Sequence, residues 1–250
     1  MPRIAPPAVM LMVALASPAV ATMSTIPVTT CGQAIPPRTI GILSADLDCT
    51  GFTGGPFGAA VTAGKKAVLD LGGFTLTGGD TGVMCIEPCA RGGGLCPVRC
   101  TVRNGTIQDP VNIGVSGGES THLDHVTIRG AGDRGVDAGR QVTITDSSIT
   151  GNGVAGVLAE NIKVSGSTIT GNGRIGVATS VTGRASVKNS TVTGNDTDAA
   201  CAPPTTVRCF DIGSARRPDV RYTTCGRSDR TGDTTFGGCA GWCVCSDDGP

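Results

Sequence analysis

Both histidines of the chain lie in the run Thr121-His122-Leu123-Asp124-His125. Alternate side chains of an extended strand share a face. His122 and Asp124 therefore point the same way, as two metal-ligand atoms or as an imidazole oriented by a carboxylate. The same segment continues through Arg129, Asp133, Arg134, Asp137 and Arg140. Asp133 and Asp137 flank the pair Gly135-Val136, where carboxylates can hold calcium through oxygen, with Asp124 as a further candidate ligand. Arg129, Arg134 and Arg140 are the candidates for moving a proton or steadying an anion beside such a site. The competing reading of the segment is a solvated face carrying Arg–Asp pairs.

Twelve cysteines form the second chemical group: Cys31, Cys49, Cys85, Cys89, Cys96, Cys100, Cys201, Cys209, Cys225, Cys239, Cys243 and Cys245. The chain opens MPRIAPPAVMLMVALASPAVA, an Arg followed by an apolar run ending in Ala19-Val20-Ala21. This is the form of a secretory signal peptide, over residues 1–21. An even number of cysteines in an exported chain makes disulfides the default. Cys31 with Cys49 and Cys201 with Cys209 are expected as local bridges. Cys85, Cys89, Cys96 and Cys100 have a spacing that four thiolates around zinc would also use. The reading set beside it is two disulfides bracing a projecting loop, and the tail Cys239, Cys243 and Cys245 poses the same choice. The apolar opening run is too short to span a bilayer. The expectation is a secreted or periplasmic chain without a membrane span.

Composition narrows the chemistry further. Twenty basic residues balance twenty acidic ones, so no bulk field draws in nucleic acid. Aromatics are 3% of the chain while Gly numbers 39, a mixture suited to thin stacked coils. No Phe, Tyr or Trp occurs between Thr75 and Cys209. That stretch has no aromatic platform for a sugar ring, which leaves Tyr222 and Trp242 near the C-terminus. Nucleophilic-serine, nucleotide and hydride motifs are absent.

The elements that would position these residues follow from a repeat. Ile107, Ile128, Ile149, Ile169 and Val192 recur about every twenty residues, and the period reaches back through Leu76 to about residue 67. Each of the four Ile is followed, seven residues on, by the Gly of a Gly-Val pair: Gly114-Val115, Gly135-Val136, Gly156-Val157 and Gly176-Val177. Runs such as VTIT, IKV and TIT alternate at period two, are β-branched and are bounded by Gly, Asn and Asp, so they read as short strands. Stacked coils would make columns, with the Ile series inward and two ladders outside: Asn152, Asn172 and Asn195, and Thr150, Thr170 and Thr193.

With its coil length and strand pattern, the chain resembles the right-handed parallel β-helix, pectate-lyase-like superfamily. CGQAIPPRTIGILSADLDC followed by AVLDLGGFTLTG is similar to the entry coils of secreted bacterial β-helix-repeat proteins. The resemblance implies an all-β solenoid of about six to eight coils with disulfide-rich caps. Its expected divisions are the signal peptide at 1–21, a cap and first coil at 22–66, coils at 67–200 and a cysteine-rich cap at 201–250.

LDHVTIRGAGDRGVDAGRQVTIT is loosely similar to lyase segments in which an Asp-His pair and later aspartates line a calcium-assisted cleft. It lacks the catalytic Arg segment, the paired aspartates of polygalacturonases and the tyrosine motif of alginate epimerases. The first functional reading is a non-catalytic exported scaffold for binding or surface structure, with a polysaccharide as its partner. The alternative is a lyase or other uronate-acting enzyme. It would use calcium at Asp124, Asp133 or Asp137, with Arg129, Arg134 or Arg140 drawing a proton. No other cofactor is expected, and the oligomeric state is left open.

Overall fold

Short β-branched runs broken by turn residues have only one way to bury their apolar side, which is to stack on the next copy of themselves. The computed structural model describes residues 23–89, 95–195, 197, 210–216, 218–225, 228, 229, 242 and 243. From Thr39 to Asp229 the described chain winds through three parallel sheets in the order A to B to C, and before it Ser24–Val28 of sheet A leads directly to Gln33–Ile35 of sheet C. Sheet A contains Ser24–Val28, Thr39–Leu43, Ala67–Asp70, then 99–103, 120–124, 141–145, 161–165 and 184–188, and last Asp219–Arg221. Sheet B contains Leu47–Cys49, Thr75–Gly78, 105–108, 126–129, Ser148–Thr150, Thr168–Thr170, Thr191–Thr193 and Thr223–Cys225. Sheet C runs from Gln33–Ile35 and Ala59–Ala63 through Thr81–Pro88 and Ile113–Gly117 to 134–138, 155–159, 175–179, Phe210–Gly213 and Ser228–Asp229. The ladder begins at Ser24, well before the stretch in which the repeat is visible in sequence.

The interior consists of aligned columns. Leu76, Ile107, Ile128, Ile149, Ile169 and Val192 of sheet B pair in register and are fully buried. Leu69, Val102, Leu123 and Ile144 form the corresponding column of sheet A, and Val83, Val115, Val136, Val157 and Val177 that of sheet C. The glycine of each Gly-Val pair is a packing requirement. A Cβ on Gly135 would lie 2.6 Å from Ile149 Cγ2 and 2.8 Å from the Gly156 carbonyl oxygen.

The corner between sheets B and C corrects one expectation. Asn152, Asn172 and Asn195 form a ladder, but it runs inside the solenoid, with all three residues buried. Asn152 Nδ2 donates to Asn172 Oδ1 (2.8 Å), and Asn172 Nδ2 donates to Asn195 Oδ1 (2.7 Å). The backbone N–H groups of Ala131, Asn152 and Asn172 donate to the same stacked oxygens. The series ends on the buried Asp211, whose carboxylate accepts from Asn195 N and Nδ2. Buried amides are tolerated because each coil supplies the partner of the next. The threonines Thr150, Thr170 and Thr193 do face outward.

Three disulfides join pairs of described residues. Cys31–Cys49 ties the first coil, as expected, and Cys85–Cys100 and Cys89–Cys96 resolve the central cluster as two bridges. These close an antiparallel hairpin in which Ile86 faces Pro97, projecting beyond sheet C. Cys225 is also disulfide-bonded. Cys201, Cys209, Cys239 and Cys245 lie outside the described residues, as does the segment 1–21. No helix of the described residues is long and apolar enough to cross a membrane.

Candidate functional site

The candidate residues are positioned by two corners of the solenoid. Sheet A turns into sheet B through a single residue with positive φ: Asn104 (58°), His125 (53°), Asp146 (46°), Gly166 (62°), Asn189 (49°) and Tyr222 (49°) in successive coils. Asn and Gly are common here because they accept left-handed backbone at low cost. Just inside the corner a hydroxyl ladder supports it. Val126, Ser147 and Ser167 donate their backbone N–H to the hydroxyls of Ser147, Ser167 and Ser190 at 3.0–3.1 Å.

His122 and Asp124 are both on the outer side of sheet A, as the alternation requires. The imidazole that meets Asp124 is nevertheless that of His125. Its positive φ folds it back beside the preceding residue, with Nδ1 2.8 Å from Asp124 Oδ1. Asp146 occupies the same corner one coil later. Ligand atoms of Asp124, His125 and Asp146 all lie within 4.8 Å of one another.

Asp133 and Asp137 belong to the corner between sheets B and C and to sheet C itself, away from Asp124. Both engage Arg134: Asp137 through a short hydrogen bond and Asp133 at 3.5 Å. Arg129 donates to Gln108, and exposed Arg140 has no carboxylate within salt-bridge distance among the described residues. Elsewhere on sheet A, Arg103 bonds Asp70 at 2.9 Å. Asp219 accepts from Arg221 at 2.8 Å with Lys188 at 3.5 Å. The Arg221 hydrogen bond holds Asp219 below the usual carboxylate value, opposed by burial and assisted by the charges of Arg221 and Lys188.

Sheet B carries a different surface. Its outer positions align Thr75, Thr106, Thr127, Ser148, Thr168, Thr191 and Thr224, with Thr150, Thr170 and Thr193 as a second column beside them. None of these hydroxyls has a hydrogen-bond partner among the described residues. Beyond the hairpin, a recess of about 450 Å³ is lined by Phe57, Met84, Ile86, Pro97 and Ser116, with Phe57 largely exposed.

The parallel three-sheet winding agrees with the comparison to known families, in which a model described as "right handed beta helix region" matches residues 89–224. The chain belongs to the right-handed β-helix family. Neither a curated protein nor a solved structure matches it. Within this β-helix, sequence reasoning missed Asp146 and the corner column. The only signal in the sequence was the recurrence of Asn104, Asp146, Gly166 and Asn189 at the coil interval, a set united by backbone conformation and not by side-chain chemistry.

Proposed function

We propose that this β-helix is an exported, non-catalytic scaffold whose outer ladders bind a polysaccharide. The observation that carries the reading is the hydroxyl surface of sheet B. Adjacent strands stand about 4.8 Å apart, so the aligned Thr and Ser side chains offer donors and acceptors at an interval close to that of sugars in an extended glycan. These hydroxyls have no protein partner among the described residues, and hydroxyl-to-hydroxyl bonding replaces water at little net cost. Tyr222, 79% exposed at the end of the adjoining corner, supplies a ring on which one terminal sugar can stack. The disulfides are compatible with an extracytoplasmic location.

The charged coil supports a scaffold over a lyase. Arg134 is engaged by Asp133 and Asp137 together, which takes the arginine's charge and both carboxylates out of the roles that calcium-assisted proton abstraction would need. Affinity electrophoresis through neutral and acidic polysaccharides, with and without calcium, tests the reading. The expected result is retardation in at least one gel with no gain in ultraviolet absorbance from an unsaturated product. Such a gain on a uronate polymer would overturn it in favour of the lyase, and free migration in every gel would overturn it outright.

A further inference from the structure

Asp124, His125 and Asp146 occupy a corner whose backbone asks for nothing more than tolerance of positive φ. Asn104, Gly166 and Asn189 meet that need at the equivalent positions, whereas His125 and Asp146 bring an imidazole and a carboxylate to successive coils. Register places Asp124 on the adjoining strand, one residue before His125. All three supply a ligand atom within 4.8 Å of the other two. Neither carboxylate has a Lys or Arg within salt-bridge distance among the described residues. Arg103, the cation stacked next to Asp124 in the register, is bound to Asp70. Two carboxylates thus share one corner with only a histidine between them, in contrast to the cation-paired Asp70, Asp133, Asp137 and Asp219.

We propose that these residues form a divalent transition-metal site of the zinc class that clips two coils together. With metal–ligand bonds of about 2.0–2.1 Å, neighbouring donors in a tetrahedral site stand about 3.3 Å apart. The spread of 4.8 Å closes to that by small rotations of exposed side chains. One imidazole nitrogen and two carboxylate oxygens suit zinc, nickel or copper. Calcium, which takes six to eight oxygens, is poorly served. On binding, the metal takes the Nδ1 lone pair that now faces Asp124 Oδ1 at 2.8 Å, and the neutral imidazole carries its one proton on Nε2. Remaining coordination positions face water, because His125 and Asp146 are exposed.

Titration calorimetry of the full chain with zinc, with calcium as comparison, tests the site, and cobalt reports the coordination geometry through its visible spectrum. His125→Asn and Asp146→Asn are the informative variants, since Asn already occupies this corner in other coils and the fold is retained. One zinc per chain is expected, with each variant weakening it by at least about tenfold, equivalent to about 1.4 kcal/mol. The His122→Ala variant should bind as the parent does. The parent's thermal midpoint should rise with zinc and those of the two Asn variants should not. Absence of zinc binding, binding as tight as the parent's in His125→Asn and Asp146→Asn, or a preference for calcium would each overturn the assignment.

Discussion

Replacing Asn172 tests the interior ladder at its centre. In the parent its Oδ1 accepts from both the backbone N–H (3.1 Å) and Nδ2 (2.8 Å) of Asn152, while its Nδ2 donates to Asn195 Oδ1 (2.7 Å) and the Ile149 carbonyl (3.3 Å). Asn172→Ala strands two donors of Asn152 in a site where Asn172 itself is fully buried. At about 1–3 kcal/mol for each buried group left unsatisfied, the loss is about 3–5 kcal/mol once the surroundings relax. For a chain of this size that is a fall of about 10 °C in the unfolding midpoint.

Asn172→Asp keeps the volume and the two acceptor contacts but turns the donor to Asn195 into a second acceptor. Its folded-state pKa must rise above the unfolded value of about 3.9. The variant is therefore least impaired below that value and grows less stable as pH climbs through the raised folded pKa. Thermal and urea unfolding followed by circular dichroism measure both effects. The outward Thr170→Ala, at the adjacent stacked position, serves as reference and should cost no more than about 1 kcal/mol. Equal losses in Asn172→Ala and Thr170→Ala would refute the claim that the ladder bears on stability.

Other substitutions probe separate parts of the account. Gly135→Ala should cost about 1–3 kcal/mol, because the new methyl meets Ile149 and the Gly156 carbonyl. Gly151→Ala, with open space but φ of 64°, should cost about 1 kcal/mol in the same unfolding assay. Thr121 Oγ1 is buried without a hydrogen-bond partner among the described residues, so the isosteric Thr121→Val should stabilise the chain by about 1 kcal/mol. Removing Cys85–Cys100 by a double Ala substitution opens a loop with a sequence separation of 15 residues and should cost about 3 kcal/mol. For Asp219 the folded pKa lies below its ordinary value, so its bond to Arg221 stabilises above that value and is lost as pH falls through the folded pKa. An NMR titration should show the Asp219 pKa returning toward normal in Arg221→Gln.

The inward columns were legible because burial and period two coincide. Ile128, Ile149 and Ile169 are apolar, equally spaced and fully buried. The Asn ladder was visible as a column yet assigned to the wrong side. Hydropathy argues for an exposed amide, and only the partners supplied by neighbouring coils reverse that argument. The first coils, from Ser24, were expected only on resemblance, as a cap and first coil over 22–66, because their turns differ in length from those that follow and the fixed period does not reach them. The Asp124–His125–Asp146 corner was legible only in part. The sequence reading paired Asp124 with His122, and a single positive φ brings His125 to it instead. Asp146 comes from the next coil, where only the stacking register places it.

The central claim is that the hydroxyl ladder of sheet B binds glycans. Its most direct test compares the parent with Thr150→Val/Thr170→Val/Thr193→Val, which keeps shape and strand preference while removing three hydroxyls. The measurement is retardation in native gels containing hydroxyethyl cellulose or polygalacturonate. If the ladder binds glycans, the parent is slowed in at least one of these gels and the triple variant, with an unchanged circular dichroism spectrum, migrates freely there. Equal retardation of the two proteins would contradict it, as would free migration of the parent in both.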